Sequence, residues 1–199
     1  MTPTSNDIAT ASAARARSRA KLLAAATELL VERGPRSVTV DAVAERSGVA
    51  KSTLYRHWRS VDEMMVDVVR ANTPAATEVD VSAGFEPSLR RWMSAAASAL
   101  SAPDWPRVLV ALLELRHGSP EMAEVLDADF ADKVGAIAEI LAIGSAEGRL
   151  PDGLDPRMVA LTLVGPLVLA SLRGDGAVTA DLSEFVLERF LASFDAPLA

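Results

Sequence analysis

This sequence predicts an all-α protein in which a small N-terminal helix-turn-helix head of three core helices joins a larger helical body. Three observations carry the expectation. Apolar residues recur three and four apart along most of the chain, no alternation of useful strand length appears, and charge is divided unevenly between the two parts. The chain has 199 residues, half of them hydrophobic, with a net charge of −7 and no cysteine. That length suits one large or two small domains with ample material for a core. Without cysteine, disulfide scaffolds, thiolate metal sites and cysteine nucleophiles are excluded, nothing argues for secretion, and a cytoplasmic protein is expected.

The elements follow in order. Residues 1–14, rich in Ala, Ser and Thr, read as a disordered tail and not as a secretory signal. Leu22, Ala26, Leu29 and Leu30 then share one helical face, and Gly34-Pro35 closes that helix. Thr39 is placed to cap a short second helix through Arg46, with Asp41 favoured at its positive start and Gly48 just past its end. Lys51 to Trp58 forms a third helix, with Leu54 and Trp58 inward. Asp62 to Asn72 forms a fourth, with Met64, Met65 and Val68 at core spacing and Pro74 as its stop. The head thus spans 15–73.

Thr73 to Glu86 holds Pro, Gly and small polar residues and reads as a linker, and the body is expected over 76–199. Its first helices carry Leu89, Trp92, Met93 and Leu100, then Val108, Leu109, Leu112 and Leu113. Met122, Leu126, Phe130, Val134, Ile137 and Leu141 continue along a longer helix that stops near Gly148. Met158 to Leu172 is almost wholly apolar but falls short of the roughly 20 residues that cross a bilayer, so no membrane span is expected. Pro166 is expected to kink this helix, and Asp181 to Phe194 gives the last one.

Charge gives the first functional clue. From Arg15 to Arg59, ten basic residues stand against four acidic ones, +6 in a chain that totals −7, which leaves −13 elsewhere. A basic head on an acidic body is the distribution of a nucleic-acid-binding module, because phosphate affinity follows the local field. The run Arg15, Arg17, Arg19, Lys21 has two readings: a solvated helix start, or cations that meet phosphates or a narrow minor groove.

Two short helices around a glycine turn have the dimensions of a helix-turn-helix, whose second helix enters the major groove. The outer side of Lys51–Trp58 offers Lys51, Ser52, Thr53, Tyr55, Arg56 and His57, all able to hydrogen-bond. Leu22-Leu23-Ala24-Ala25-Ala26, Gly34, Thr39-Val40-Asp41-Ala42-Val43-Ala44, Gly48-Val49 and Thr53-Leu54-Tyr55-Arg56-His57-Trp58 resemble the head of the tetracycline-repressor-like (TetR) bacterial transcription regulators. The body resembles that family in length, helical character and the stretch Val164-Gly165-Pro166-Leu167.

The resemblance implies a homodimeric regulator, most simply a repressor, that binds a near-palindromic double-stranded DNA operator and is released by a small-molecule effector. It implies phosphate contacts at Thr39 and Tyr55, and base or adjacent phosphate contacts at Lys51, Ser52, Thr53 and Arg56, with His57 at the edge of the footprint. Arg17 joins them from the basic run. Two positions depart from the family: Ala50 stands where a serine cap is common, and Val61 where a phosphate-binding lysine is common, with Arg59 as candidate replacement.

The body is expected to sense and to dimerise. Trp92, Met93, Leu109, Leu113, Arg116, His117, Met122, Phe130 and Val134 are candidate walls of an effector pocket, with Arg116 to meet an anionic group of a hydrophobic ligand. Equally, Arg116 can reach Glu114 or Asp129, and His117 can cap the helix end. Leu169, Leu182, Phe185, Val186, Phe190 and Phe194 are candidate dimer contacts, although a buried core helix accounts for Met158–Leu172 too. With two histidines, no cysteine, no phosphate loop and no nucleophile elbow, neither an enzyme nor a cofactor or metal site is expected. A helical protein-binding adaptor that never touches DNA is the competing class; it leaves the polar outer face of the third helix unexplained.

Overall fold

In the computed structural model, residues 5–74, 78–173 and 178–195 are described. Among them are nine α-helices: α1 Ser5–Arg33, α2 Val40–Ser47, α3 Lys51–His57, α4 Val61–Asn72, α5 Phe85–Leu100, α6 Trp105–Gly118, α7 Pro120–Ala146, α8 Pro156–Arg173 and α9 Ala180–Asp195. They form two compact units, Met1–Thr73 with Val110–Ala123, and Pro74–Leu109 with Glu124–Ala199. The second half of α6 and the start of α7, expected in the body, are therefore grouped with the head.

The head closes on Leu22, Ala25, Ala26, Leu29 and Leu30 of α1, against Val43, Leu54, Trp58, Met64, Met65, Val68 and Val69. Each short helix has a local cause. Thr39 Oγ1 accepts from Ala42 N–H at 3.2 Å to start α2, and Gly48, at φ 67°, takes the left-handed turn that ends it. Ser60 Oγ accepts from Glu63 N–H at 3.1 Å, while the Glu63 carboxylate accepts from Arg59 N–H at 2.6 Å, so the start of α4 is capped from both sides. Asn72 at its far end donates to Thr27 Oγ1 at 2.9 Å and ties α4 to α1.

One boundary differs from expectation. Residues 5–14, read as part of a tail, are the first turns of α1. Ala9, Ala11, Ala13 and Ala14 are strong helix formers, and with no apolar stripe to bury they give no periodicity to detect. Residues 1–4 lie outside the described residues, as does the 75–77 stretch of the expected linker.

The second unit packs α5, α7, α8 and α9 around Phe85, Leu89, Trp92, Met93, Ile137, Ile140, Leu163, Leu167 and Leu187. Gly144 of α7 has a packing role: a Cβ there would stand 2.7 Å from Leu150 Cδ1 and 2.8 Å from Phe85 Cδ2. On the flank, Arg90 of α5 pairs with Glu86 and with Glu184 and Glu188 of α9. Helix α8 runs from Pro156 to Arg173 with Pro166 inside it, on its exposed side. Its 18 residues have the length and hydropathy of a bilayer span, yet it packs Val159, Leu163 and Leu167 into the core of this unit.

Candidate nucleic-acid interface

Leu54 is the buried pin of α3 and Trp58 follows as its cap, donating N–H to the Leu54 carbonyl. The indole Nε1 of Trp58 donates to Asp67 Oδ2 at 2.6 Å, and Arg19 binds the same carboxylate at 2.5 Å with its guanidinium 5.4 Å from the Trp58 ring centroid. Buried below and tied at its end, α3 turns its other side outward. Lys51, Ser52, Tyr55 and Arg56 are exposed, Tyr55 at 57%, and Thr53 and His57 are half-buried beside them. Thr39 is exposed at the start of α2, and Arg17 and Arg59 are exposed as well. The expected contact residues are thus accessible on the described surface, and four cations lie among them.

Their present partners show what DNA would have to displace. Lys51 is ion-paired with Asp41, which raises its pKa above the ordinary lysine value. Arg56 donates to Thr53 Oγ1 at 2.7 Å. Arg17 and Arg59 make no ion pair among the described residues, although the backbone N–H of Arg59 is held by Glu63. Helix α3 begins at Ala50 without a side-chain cap, and the turn before it is held instead by Ser47 Oγ, which accepts from Val49 N–H at 3.2 Å.

The basic run divides by role. Arg19 belongs to the Trp58–Asp67 contact, Arg15 donates to the Arg56 carbonyl oxygen at 3.5 Å, and Arg17 projects freely outward. Arg46, counted in the basic excess, is forked between Glu28 and Glu32 of α1, so its charge is neutralised locally and its pKa lies above the usual arginine value. Sequence reasoning missed Ser18, whose Oγ lies 2.9 Å from His57 Nε2; no local signal joins residues 39 positions apart. The Ser60-x-x-Glu63 spacing, in contrast, is a readable capping pattern.

The candidate effector walls do not share one environment. Trp92, Met93 and Met122 are buried, Leu109, Arg116, Phe130 and Val134 half-buried, but Leu113 (44% exposed) and His117 are on the surface. The buried face of α6 is Val108, Ala111 and Leu112, and Leu113 and His117, four apart, lie on a different one. Among the described residues a groove of about 470 Å³ runs between the end of α7 and the start of α8, lined by Leu141, Ser145, Asp152 and Leu154, and one of about 340 Å³ runs between α5 and α9. Only Met93 of the nine candidate wall residues borders either.

The candidate dimer contacts also divide. Leu169 (65% exposed) and Phe185 (60%) point outward, whereas Leu182, Val186, Phe190 and Phe194 are half-buried against the body core. These four recur on the core-facing side of α9, and Phe190 meets Phe194 edge-on with centroids 5.1 Å apart.

Comparison with known proteins gives a consistent result. The family model for bacterial regulatory proteins of the tetR family matches residues 22–68, and that for a tetracyclin repressor-like C-terminal domain matches residues 85–190. The chain is 25% identical over 150 residues, 75% of its length and 72% of the relative's, to the HTH-type transcriptional regulator AqdR of Rhodococcus erythropolis. It is 23% identical over 152 residues, 74% of its length and 78% of the relative's, to the fatty acid metabolism regulator protein of Bacillus subtilis strain 168. Among solved structures it resembles the transcriptional regulator FadR of Bacillus subtilis in complex with stearoyl-CoA, with TM-score 0.67, 21% identity and 86% and 97% of the two chains covered. The flavonoid-responsive regulator FrrA gives TM-score 0.68 at 20% identity, with 89% and 97% covered.

Proposed function

Because the chain belongs to the tetR family of bacterial regulatory proteins, we propose that it is a repressor that grips a near-palindromic operator as a homodimer and releases it when a small molecule enters the body. It is a DNA-binding transcriptional regulator, not an enzyme, and its helix-turn-helix sets aside the adaptor reading. The cytoplasm is where such a protein would meet its operator.

The observation that carries the dimer is the apolar surface left outward on α8 and α9: Met158, Leu161, Leu169, Leu172 and Phe185 are all exposed. Met158, Leu161, Leu169 and Leu172 share one side of α8 by helical spacing, and exposed apolar side chains in a row fit a partner; a second copy placed by a twofold axis would cover them with the same surface. One short recognition helix reads only a few base pairs. Two heads on half-sites about one helical turn apart then supply affinity. Lys51, Ser52, Thr53 and Arg56 read bases or the adjoining phosphates, and Arg17, Thr39, Tyr55, His57 and Arg59 hold the backbone.

For the effector, we favour an amphiphilic acyl compound with an anionic end. The support is the stearoyl-CoA bound by the structurally similar FadR, together with the apolar Trp92, Met93, Leu109, Phe130 and Val134 in this body. Arg157, whose guanidinium lies 5.2 Å from the Phe130 centroid, is a further candidate partner for the anion beside Arg116. By reciprocity, an effector that weakens DNA binding is itself bound less well by the DNA complex.

Selection of duplexes from a random library, followed by footprinting, tests the operator; a single protected half-site bound by a monomer would overturn the dimer reading. Thermal shift with stearoyl-CoA and with free fatty acids, followed by DNA release, tests the acyl effector. Stabilisation by neither would remove that class.

A further inference from the structure

Where α1 meets the end of α3, Ser18, His57, Arg15 and Arg56 form a cluster whose proton positions can be worked out. The Ser18 hydroxyl has one proton, directed at the Arg15 carbonyl oxygen 2.9 Å away. With that proton on the Arg15 carbonyl, the tautomer that satisfies the 2.9 Å contact between Ser18 Oγ and His57 Nε2 is the one in which Nε2 donates to Ser18. That leaves Nδ1 as the nitrogen where a second proton adds.

The charged groups around this ring come from three helices. Arg15 and Arg19 reach it from α1 and Arg56 from α3; α4 contributes Asp67, which is occupied by Arg19 and the Trp58 indole. The Trp58 ring lies 5.3 Å from the imidazole. Partial burial first, and then the three guanidinium charges, hold the His57 pKa below its ordinary value. In the free head the ring is thus mainly neutral at pH 7.

We propose that Arg15, Ser18, Arg56 and His57 form a proton-linked phosphate site, at which a DNA backbone phosphate is bound together with one proton on His57. The inference rests on the DNA-binding reading and adds to it a coupling to pH. A phosphate seated there reverses the field that opposes imidazolium, and Ser18 keeps the ring oriented through the change. The sign follows directly. The complex holds more protons than the separated partners between the free and the bound pKa, so affinity rises as pH falls through that window, by at most about tenfold per unit for one proton.

The test compares the full chain with His57→Gln, whose carboxamide can still donate to Ser18 but cannot titrate. Affinity for a random-sequence duplex is measured at constant ionic strength from about pH 6 to pH 8, where histidine is the side chain whose ordinary pKa lies in range. NMR follows the imidazole of His57 with and without duplex; it is one of 2 histidines and is assigned by its loss in the variant. The expected result is binding that strengthens several-fold per unit toward acid in the wild type, a flatter profile in His57→Gln, and a His57 titration moved to higher pH by duplex. Equal pH profiles for the two proteins, or a His57 titration that duplex leaves in place, would overturn the linkage while DNA binding stands. A wild type that binds no duplex at any pH would overturn both readings together.

Discussion

Replacing Phe185 by Asp should leave the body folded and break the proposed homodimer. Phe185 points away from the core at 60% exposure, and its one described ring contact is the Arg189 guanidinium 5.4 Å from its centroid. Losing that contact costs the single chain about 0.5–1 kcal/mol at an exposed site. Phe and Asp differ little in helix propensity, so the fold should survive. In a symmetric dimer the uncovered part of the ring is what becomes buried. A phenylalanine offers about 200 Å² in all, so the share left to bury is about 120 Å², or about 3 kcal/mol at about 25 cal/mol per Å². The twofold axis counts this twice, and about 6 kcal/mol corresponds to roughly four orders of magnitude in Kd. Sedimentation velocity with circular dichroism reads both halves of the expectation. A folded Phe185→Asp protein that still sediments as a dimer at micromolar concentration would refute the assignment of this face.

Replacing Lys51 or Arg56 by Ala should relax base preference at particular operator positions, whereas Arg17→Ala or Arg59→Ala should weaken binding evenly and reduce the dependence of log affinity on log salt by about one; four variants with unchanged binding would remove α3 from the interface. Asp41→Asn should strengthen duplex binding a few-fold at low salt, because the carboxylate that holds Lys51 also repels the phosphate that Lys51 would meet, and filter binding over a salt series would show it. Gly144→Ala should destabilise the chain: better helix propensity contributes about 1 kcal/mol, but a Cβ 2.8 Å from the fully buried Phe85 ring calls for repacking that costs about 1–3 kcal/mol. Calorimetry should find Tm lowered by a few degrees, and an unchanged or raised Tm would mean that Leu150 and Phe85 yield freely.

How far the sequence could be read depended on the range of the interaction. Helical periods, the Thr39 cap and the Gly48 turn are set by neighbours within one or two helical turns, and each stands in the structure where its residues place it. The outer face of α3 was legible for the same reason, since Leu54 and Trp58 fix which side goes inward. Faces were harder where apolar residues exceeded one stripe. On α6 the run from Val108 to Leu113 supports two phases, and only packing chose the one that leaves Leu113 and His117 outside. Long-range polar contacts left no trace in the chain at all. Arg46 between Glu28 and Glu32, Arg19 on Asp67, and Ser18 on His57 depend on helices crossing at a particular residue, so a count of basic residues overstated the charge free to meet DNA.

The compact unit containing the head is discontinuous in sequence, joining residues 1–73 to Val110–Ala123, while the two family models divide the chain at the linker. Within that unit Glu114 stands beside Gly34, close enough that a Cβ at position 34 would lie 3.6 Å from its carboxylate oxygen. Anyone grafting this reading head onto another regulator by a single crossover near Pro74 would therefore transplant an incomplete part. The exchangeable cassette has two pieces, and a chimera that retains its own copy of 110–123 should express better than one spliced only at the linker. The same geometry would filter natural recombination, favouring exchanges in which the end of α6 travels with the helices that read DNA.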